Sequence, residues 1–366
     1  MTVSTTHSYA DEQAPPRYSG GYVAMRWIKK KLFPTPFQSF ITFVTLVLLV
    51  WFTPLALDWL VFSATFVGES KADCAGGGAC WLPVTQRIDL FVYGFYPDTE
   101  IWRVNIAFGL AAAIFPLLYI KQINRRWVLG YFIVLPFVMW WLLKGGAGLE
   151  EVSSTKFAGI LVTIFLGVIG MLFALPIGIL LALGRRSKKP VIKLLSVLYI
   201  EFVRSVPVIT LLFMASLMIQ FFLPEGMTID IFMRVLIVLI MFTAAYMAET
   251  IRGGLQGMPS GQFEAADALG FSYWKTMSLI ILPQVLRNTI PPLLTQFIGL
   301  FKETTLVVVV GVLDVVGIAM STTSAPEWLG LENEIYLFLA LFFFVICFTL
   351  SCYASHLEKQ MDKIRS

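Results

Sequence analysis

Histidine is almost missing from this chain. Its 366 residues include two, His7 and His356, both near the ends. That excludes a histidine-built metal centre and a Ser–His catalytic pair within the body of the sequence. Charge is scarce as well: 14% of the residues are Asp, Glu, Lys or Arg, against 58% hydrophobic, and the mean hydropathy is +0.79. A soluble domain carries roughly 25% charged residues, so this composition belongs to a polytopic membrane protein. No Gly-Lys pair occurs, so no Gly-x-x-x-x-Gly-Lys-Ser/Thr loop is present to cradle a nucleotide phosphate, and there is no Gly-x-Ser-x-Gly. The net charge of +4 is too small to call for a nucleic-acid partner, and four cysteines do not make a disulfide framework. Neither a cofactor nor a metal is expected; the partner the composition does imply is membrane lipid.

What is present is a series of long apolar runs. They predict an all-α polytopic membrane protein with about eight transmembrane helices, at 40–63, 104–120, 127–143, 157–183, 199–222, 231–250, 292–313 and 336–355, each near the ~20 residues that cross the hydrocarbon. The first is interrupted by Pro54 and Asp58. Residues 1–38 read as a polar cytoplasmic tail without a signal peptide, and 357–366 as a second tail. Residues 39–150 form a Trp- and Phe-rich three-span extension, read as a lipid-facing scaffold, and 151–356 carry most of the polar intramembrane residues. The links at 26–31, 121–126 and 184–193 hold 4, 3 and 5 basic residues, while those at 223–230 and 314–335 hold none and carry acids instead. The positive-inside rule puts the basic set in the cytoplasm together with both termini. Loop 64–101 then faces the periplasm. There Cys74 and Cys80 flank three glycines and either close a disulfide or remain two thiols. Cys347 and Cys352, in the last span, read as apolar filler. Gly167, Gly170 and Gly178 predict close helix packing in the fourth span, and Pro176 a kink.

One stretch stands apart. Between the sixth and seventh spans, in a mixed and polar loop over 255–290, the chain reads Glu264-Ala265-Ala266-Asp267-Ala268-Leu269-Gly270, then nine residues, then Ile280-Ile281-Leu282-Pro283. The local chemistry predicts helix, turn, helix. Ser260 or Gly261 caps the first helix, with Glu264 in its first turn where the dipole favours an anion. Gly270 takes the left-handed position that ends a helix, Ser272 caps the next, and Pro283 breaks or kinks it. Phe263, Ala266 and Leu269–Gly270 are expected on one side, rimmed by Glu264 and Asp267.

This spacing resembles the cytoplasmic loop of ABC-importer permeases, Glu-Ala-Ala, three residues, Gly, nine residues, Ile-x-Leu-Pro; all seven fixed positions are filled. From about 157 to 355 the chain resembles the five-span core of type I ABC importers, and within them the polar amino-acid uptake branch, the histidine, glutamine and arginine permeases. Tyr199 to Pro207, Ala244 to Gly254 and Phe301 to Leu306 carry that likeness, with Ser205 standing where the family usually has Gly. The three extra spans are similar to the long permease of bacterial general L-amino-acid uptake systems. The resemblance implies a bacterial inner-membrane permease that works by alternating access with two ABC ATPase subunits, a second homologous permease and a periplasmic amino-acid-binding protein, and that has no enzyme activity of its own. It also implies that Glu264, Ala265, Ala266 and Gly270 insert into the ATPase as a coupling helix, with Asp267, Leu269 and Pro283 in the same loop.

Glu249 and Arg252, and likewise Glu201 and Arg204, lie three apart on a helix near the basic side. They read as structural pairs or interface anchors, or as a gate or docking site. Lys302 and Glu303 fall deep in the seventh span and read as pathway lining or a buried pair. Arg234 is expected to snorkel. An ion-gradient-driven secondary transporter is the alternative; it calls for mid-membrane carboxylates and often an inverted repeat. A membrane-embedded enzyme would need a metal cluster or nucleophile–base pair within the spans.

Overall fold

In the computed structural model the described residues are 20–74, 76–119 and 124–365. Half of the expected N-terminal tail and part of the second basic link lie outside them. Among the described residues the regular structure is helical, apart from isolated bridges. It divides into two units: one holds the residues up to Thr65 together with Cys74–Ala79, the other everything else.

The first unit contains α1 (Gly20–Leu32) and α2 (Pro36–Leu57). Thr35 caps α2, its hydroxyl accepting from the amide of Gln38 at 3.2 Å, and Pro36 fills the first turn where no donor is needed. Pro54 does not end the helix. The winding widens over Asp58–Phe62 instead, and one apolar span runs from Pro36 to Phe62 with none of its residues buried.

The second unit begins with the short helices α3 (Leu82–Thr85) and α4 (Ile88–Tyr93), followed by α5 (Ile101–Tyr119) and α6 (Arg125–Lys144). One face of α5 and α6 is in the core rather than against lipid: Val104, Ala107, Leu135 and Met139 share a cluster with Phe165, Ile169 and Phe232. Trp140 of α6 stacks on Phe232, with their centroids 6.3 Å apart. The elements that follow are α7 (Ile160–Arg185), α8 (Pro190–Ser205), α9 (Val208–Met218), α10 (Ile231–Gln256), α11 (Ser260–Ala268), α12 (Tyr273–Lys275), α13 (Leu282–Glu303), α14 (Val315–Thr323) and α15 (Glu332–Arg365). Six helices are long and apolar enough to cross a membrane, and the bent pair α8–α9 makes a seventh. Among the described residues the total is thus six or seven, against about eight expected.

Two expected spans are built differently. The fifth, expected as one helix over 199–222, starts at Pro190 and breaks at Val206–Pro207 with a bend of 106°. Proline has no amide to donate and biases the residue before it away from helical angles; Val206 is extended at φ −102°, ψ 132°. The seventh, expected over 292–313, runs from Tyr273 to Val310, 38 residues. At 1.5 Å per residue that is about 57 Å, nearly twice the ~30 Å of hydrocarbon. Half of the polar loop is therefore a continuation of this helix.

The packing axis is the pair α7–α10. A Cβ built on Gly178 would lie 2.8 Å from Met247 Cβ and 3.1 Å from the Ala244 carbonyl oxygen, so the two backbones meet with no room for a side chain. Gly167 and Gly170 receive Phe301 and Leu300 of α13, with Cβ approaches of 3.1 Å each. On the acidic side Asp314 is completely buried. Its Oδ1 caps α14 by accepting from the Gly317 amide at 3.0 Å, and its Oδ2 has no partner among the described residues. Burial pushes its pKa from 3.8 to about 6.

Gly178→Ala is expected to lower the stability of the detergent-purified protein by about 1–3 kcal/mol through overpacking. Gly253→Ala, a helical site with no atom within 4 Å of the new Cβ, should be neutral or stabilising by about 0.5–1 kcal/mol; thermal unfolding midpoints compare the two. Because the folded pKa of Asp314 is raised, its contribution is fully present below pH 4, roughly its unfolded value, and is lost as the pH rises through about 6. Asp314→Asn keeps the cap acceptor and cannot ionise. Its stability relative to wild type should rise by about 1–3 kcal/mol between pH 4 and 7, read from midpoints measured across that range.

Candidate functional site

The polar loop folds into α11, a turn and the start of a long helix. Pro259, not Ser260 or Gly261, stands at the N-cap position, and no side chain caps the helix. Glu264 consequently falls past the first turn. The C-terminus follows the sequence more closely. Gly270 is left-handed at φ 68°, its amide donates to the Asp267 carbonyl at 2.9 Å, and the Phe271 amide donates to that of Ala266 at 3.1 Å. These two bonds form a Schellman turn, which satisfies carbonyls that the helix end would leave open. Ser272 holds the next N-cap position, again without a side-chain bond.

Pro283 neither breaks nor ends the second helix. The chain winds as a π-helix over Thr276–Ile281, the Leu282 amide donating to the Met277 carbonyl, and Pro283 lies in the first turn of α13. A residue without an N–H loses nothing where the ladder changes register. Met277, Ile281 and Val285 anchor this segment in a core shared with Ala248, Ile251 and Leu255 of α10. Gln284 donates to the Gln262 side chain at 3.0 Å, tying α13 to α11.

The loop residues do not share one face. Ala266 is buried at 1% exposure and Phe263 is half-buried, so both turn toward the protein. Glu264, Ala265, Asp267, Leu269, Gly270 and Pro283 are exposed. The free apolar surface comes from Leu269, Tyr273 and Trp274, which are 70%, 49% and 67% exposed. The two aromatic rings meet edge to face at 5.4 Å. The sequence reading passed over Tyr273 and Trp274, although adjacent aromatics in a polar loop were a visible signal.

A second constellation gathers Arg185 of α7, Glu201 and Arg204 of α8, and Glu249 and Arg252 of α10. Arg252 Nε donates to both Glu249 carboxylate oxygens at 2.9 Å. Arg185 Nη1 lies 3.4 Å and Arg204 Nη1 3.8 Å from Glu249 Oε2, and Arg185 also pairs with Glu201 at 2.7 Å. One carboxylate is thus shared by three guanidinium groups from three helices. The Arg204 guanidinium also lies 5.5 Å from the centroid of the Tyr246 ring. The Glu249–Arg252 spacing yields a direct pair. The Glu201–Arg204 spacing does not, because Glu201 turns to Arg185 and Arg204 to Glu249. Arg185, which the sequence presented only as one of a run of loop charges, is the residue that closes the cluster.

Lys302 and Glu303 stand apart from it. They lie where α13 tightens into the 3-10 winding of Thr304–Val310, Lys302 exposed and Glu303 half-buried, and no ion pair among the described residues joins them to the cluster. Arg234 is held by protein partners: its Nε donates to the Ile229 carbonyl and its Nη1 to that of Ser216, both at 2.6 Å, and its Nη2 donates to Gln220. Cys74 and Cys80 are disulfide-bonded, while Cys347 and Cys352 are free. Among the described residues no group of His, Cys, Asp and Glu is arranged to hold a metal ion.

Comparison with known proteins identifies relatives of this chain. The family described as "Binding-protein-dependent transport system inner membrane component" matches residues 174–363. The inner membrane amino-acid ABC transporter permease protein YhdY of Escherichia coli is 41% identical over 346 residues, 94% of each chain. The glutamate/glutamine/aspartate/asparagine transport system permease protein BztC of Rhodobacter capsulatus is 37% identical over 98% of each chain. A solved structure described as an amino acid ABC transporter with histidines aligns at 31% identity and a TM-score of 0.49, covering 55% of this chain and 92% of that one. The two relatives match the N-terminal spans as well as the region that carries the loop and the ion cluster. This chain belongs to the family of binding-protein-dependent transport system inner membrane components, the permeases of ABC transporters.

Proposed function

We propose that this protein is the membrane-spanning subunit of an ATP-driven importer of L-amino acids, working by alternating access while separate subunits hydrolyse the ATP. The observation that carries the proposal is the α11 segment: a short helix closed by a Schellman turn, continuous with a helix too long for the bilayer, and showing Leu269, Tyr273 and Trp274 to solvent. Such a surface suits a protein partner, and it sits on the basic side, which charge asymmetry assigns to the cytoplasm with both termini. Two ATPase subunits, a second permease of the same fold and a periplasmic amino-acid-binding protein complete the complex. The disulfide-bonded state of Cys74 and Cys80 accords with an oxidising compartment around loop 64–101. The amino-acid substrate is supported by what the two long relatives are named for. The permease itself makes and breaks no covalent bond.

In this reading the cluster around Glu249 is a latch that holds α7, α8 and α10 together at the cytoplasmic end. It opens when the ATPases pull on α11. Lys302 and Glu303 line the pathway where the helix changes winding. The segments 39–150 and 151–356 act as extension and permease core, although α5 and α6 pack into the same core as α7 and α10.

Three measurements test this. In proteoliposomes holding the complete complex, uptake of labelled amino acids should require internal ATP; uptake driven by an ion gradient alone would establish a secondary transporter instead. Gly270→Asp should insert normally, because the backbone there is left-handed, Asp tolerates that conformation, and nothing lies within 4 Å of the new Cβ. It should lower uptake by about tenfold or more, as expected when roughly 1.4 kcal/mol of docking energy is lost; wild-type uptake would sink the docking role. Glu249→Gln leaves three guanidinium groups without their shared carboxylate. Stability should fall by about 1–3 kcal/mol, and ATP hydrolysis without substrate should rise several-fold.

A further inference from the structure

The end of α7 carries two adjacent arginines that face different ways. Arg185 is the last residue of α7 and Arg186 its C-cap, at φ −91° and ψ −1°. Successive residues on a helix are about 100° apart around the axis, so neighbours address different surroundings. Arg185 reaches the ion cluster, at 2.7 Å from Glu201 and 3.4 Å from Glu249. Arg186 reaches the loop. Its Nη1 donates to the Leu255 carbonyl at 3.1 Å, and its guanidinium lies 5.5 Å from the centroid of the Phe263 ring.

Both contacts are selective. Leu255 is in the last turn of α10, where carbonyls have no intrahelical donor and the dipole favours a cation. Phe263 is the half-buried residue of α11 that turns inward, one turn before the buried Ala266. A guanidinium serves both at once, because its plane stacks on a ring while its N–H groups donate in that plane. We propose that Arg186 and Phe263 form the positioning link that carries movement of α11 to the Glu249 latch, with Arg185 as its far end. The inference rests on the reading of α11 as the ATPase-coupling helix. It adds the route from that helix to the ion cluster: Phe263 ring, Arg186 guanidinium, one peptide bond, Arg185 guanidinium, Glu249 carboxylate. A shift of α11 that moves Phe263 draws on the end of α7 and so on the pair that Arg185 makes with Glu249.

The test is the number of ATP molecules hydrolysed per amino acid imported by the complete complex in proteoliposomes, for wild type, Arg186→Ala, Arg186→Lys, Phe263→Leu and the Arg186→Ala/Phe263→Leu double variant. Arg186→Ala and Phe263→Leu are each expected to raise that ratio about 3- to 10-fold while the complex still co-purifies, an effect of the size that one lost cation–π contact allows. Arg186→Lys keeps a cation over the ring and should return the ratio to within about twofold of wild type. The double variant should be no worse than the more severe single variant, since both break one link. A merely structural role would lower yield or stability and leave the ratio alone. An unchanged ratio in Phe263→Leu, or independent effects in the double variant, would overturn the link. Should Arg186→Ala fail to assemble, Phe263→Leu decides by itself, because a similar apolar side chain replaces the ring. Wild-type complex that imports without ATP would overturn the coupling reading itself. Wild-type import that is lost in Gly270→Asp but unaffected in Phe263→Leu would overturn only the link.

Discussion

Everything in the larger unit hangs on the close approach of α7 and α10. Gly178 against Met247 and Ala244 removes the side-chain layer that ordinarily separates two helices. In lipid there is little hydrophobic gain from bringing helices together, so contact between small residues supplies the van der Waals attraction instead. With these axes held, α13 can seat Leu300 and Phe301 over Gly170 and Gly167. The basic ends of α7 and α10 then come close enough for Arg185 to reach Glu249 and for Arg186 to reach Leu255.

Three departures from regular helix stand beside residues of the candidate site. The chain bends at Pro207, widens over Thr276–Ile281 and tightens over Thr304–Val310. These three irregularities adjoin residues with proposed roles: Arg204 beside the bend, Trp274 just before the π segment, Lys302 and Glu303 at the tightening. Within a membrane, backbone groups freed by irregular winding must find partners inside the protein. Such segments therefore persist only where surrounding helices support them, and they are natural places for a change of shape.

Much of this could be read from residues alone. The apolar runs revealed a helical membrane protein and the order of its main spans. The ending of α11 at Gly270 follows from local stereochemistry, since a left-handed residue after a helix is most readily glycine. Less could be read where one residue has several partners to choose from. Spacing put Glu201 beside Arg204, but both found stronger partners on neighbouring helices. Hydropathy treated 199–222 as one span because a proline break changes direction without changing composition. Ala266 and Leu269 are three apart on α11, yet the fold buries one and leaves the other exposed.

By itself the sequence determined that the chain lives in a membrane, that it carries no Gly-x-x-x-x-Gly-Lys-Ser/Thr motif and has two histidines, both near the ends, and that a polar helix–turn–helix lies on its basic side. These follow from composition and from interactions over a few residues, where geometry is nearly independent of context. Only the tertiary structure decided which arginine meets which carboxylate, which side of α11 is free, and that Arg185 and Arg186 join the loop to the ion cluster. Those are contacts between distant segments, and their distances are set by the small-residue packing of α7 on α10, which no local pattern encodes.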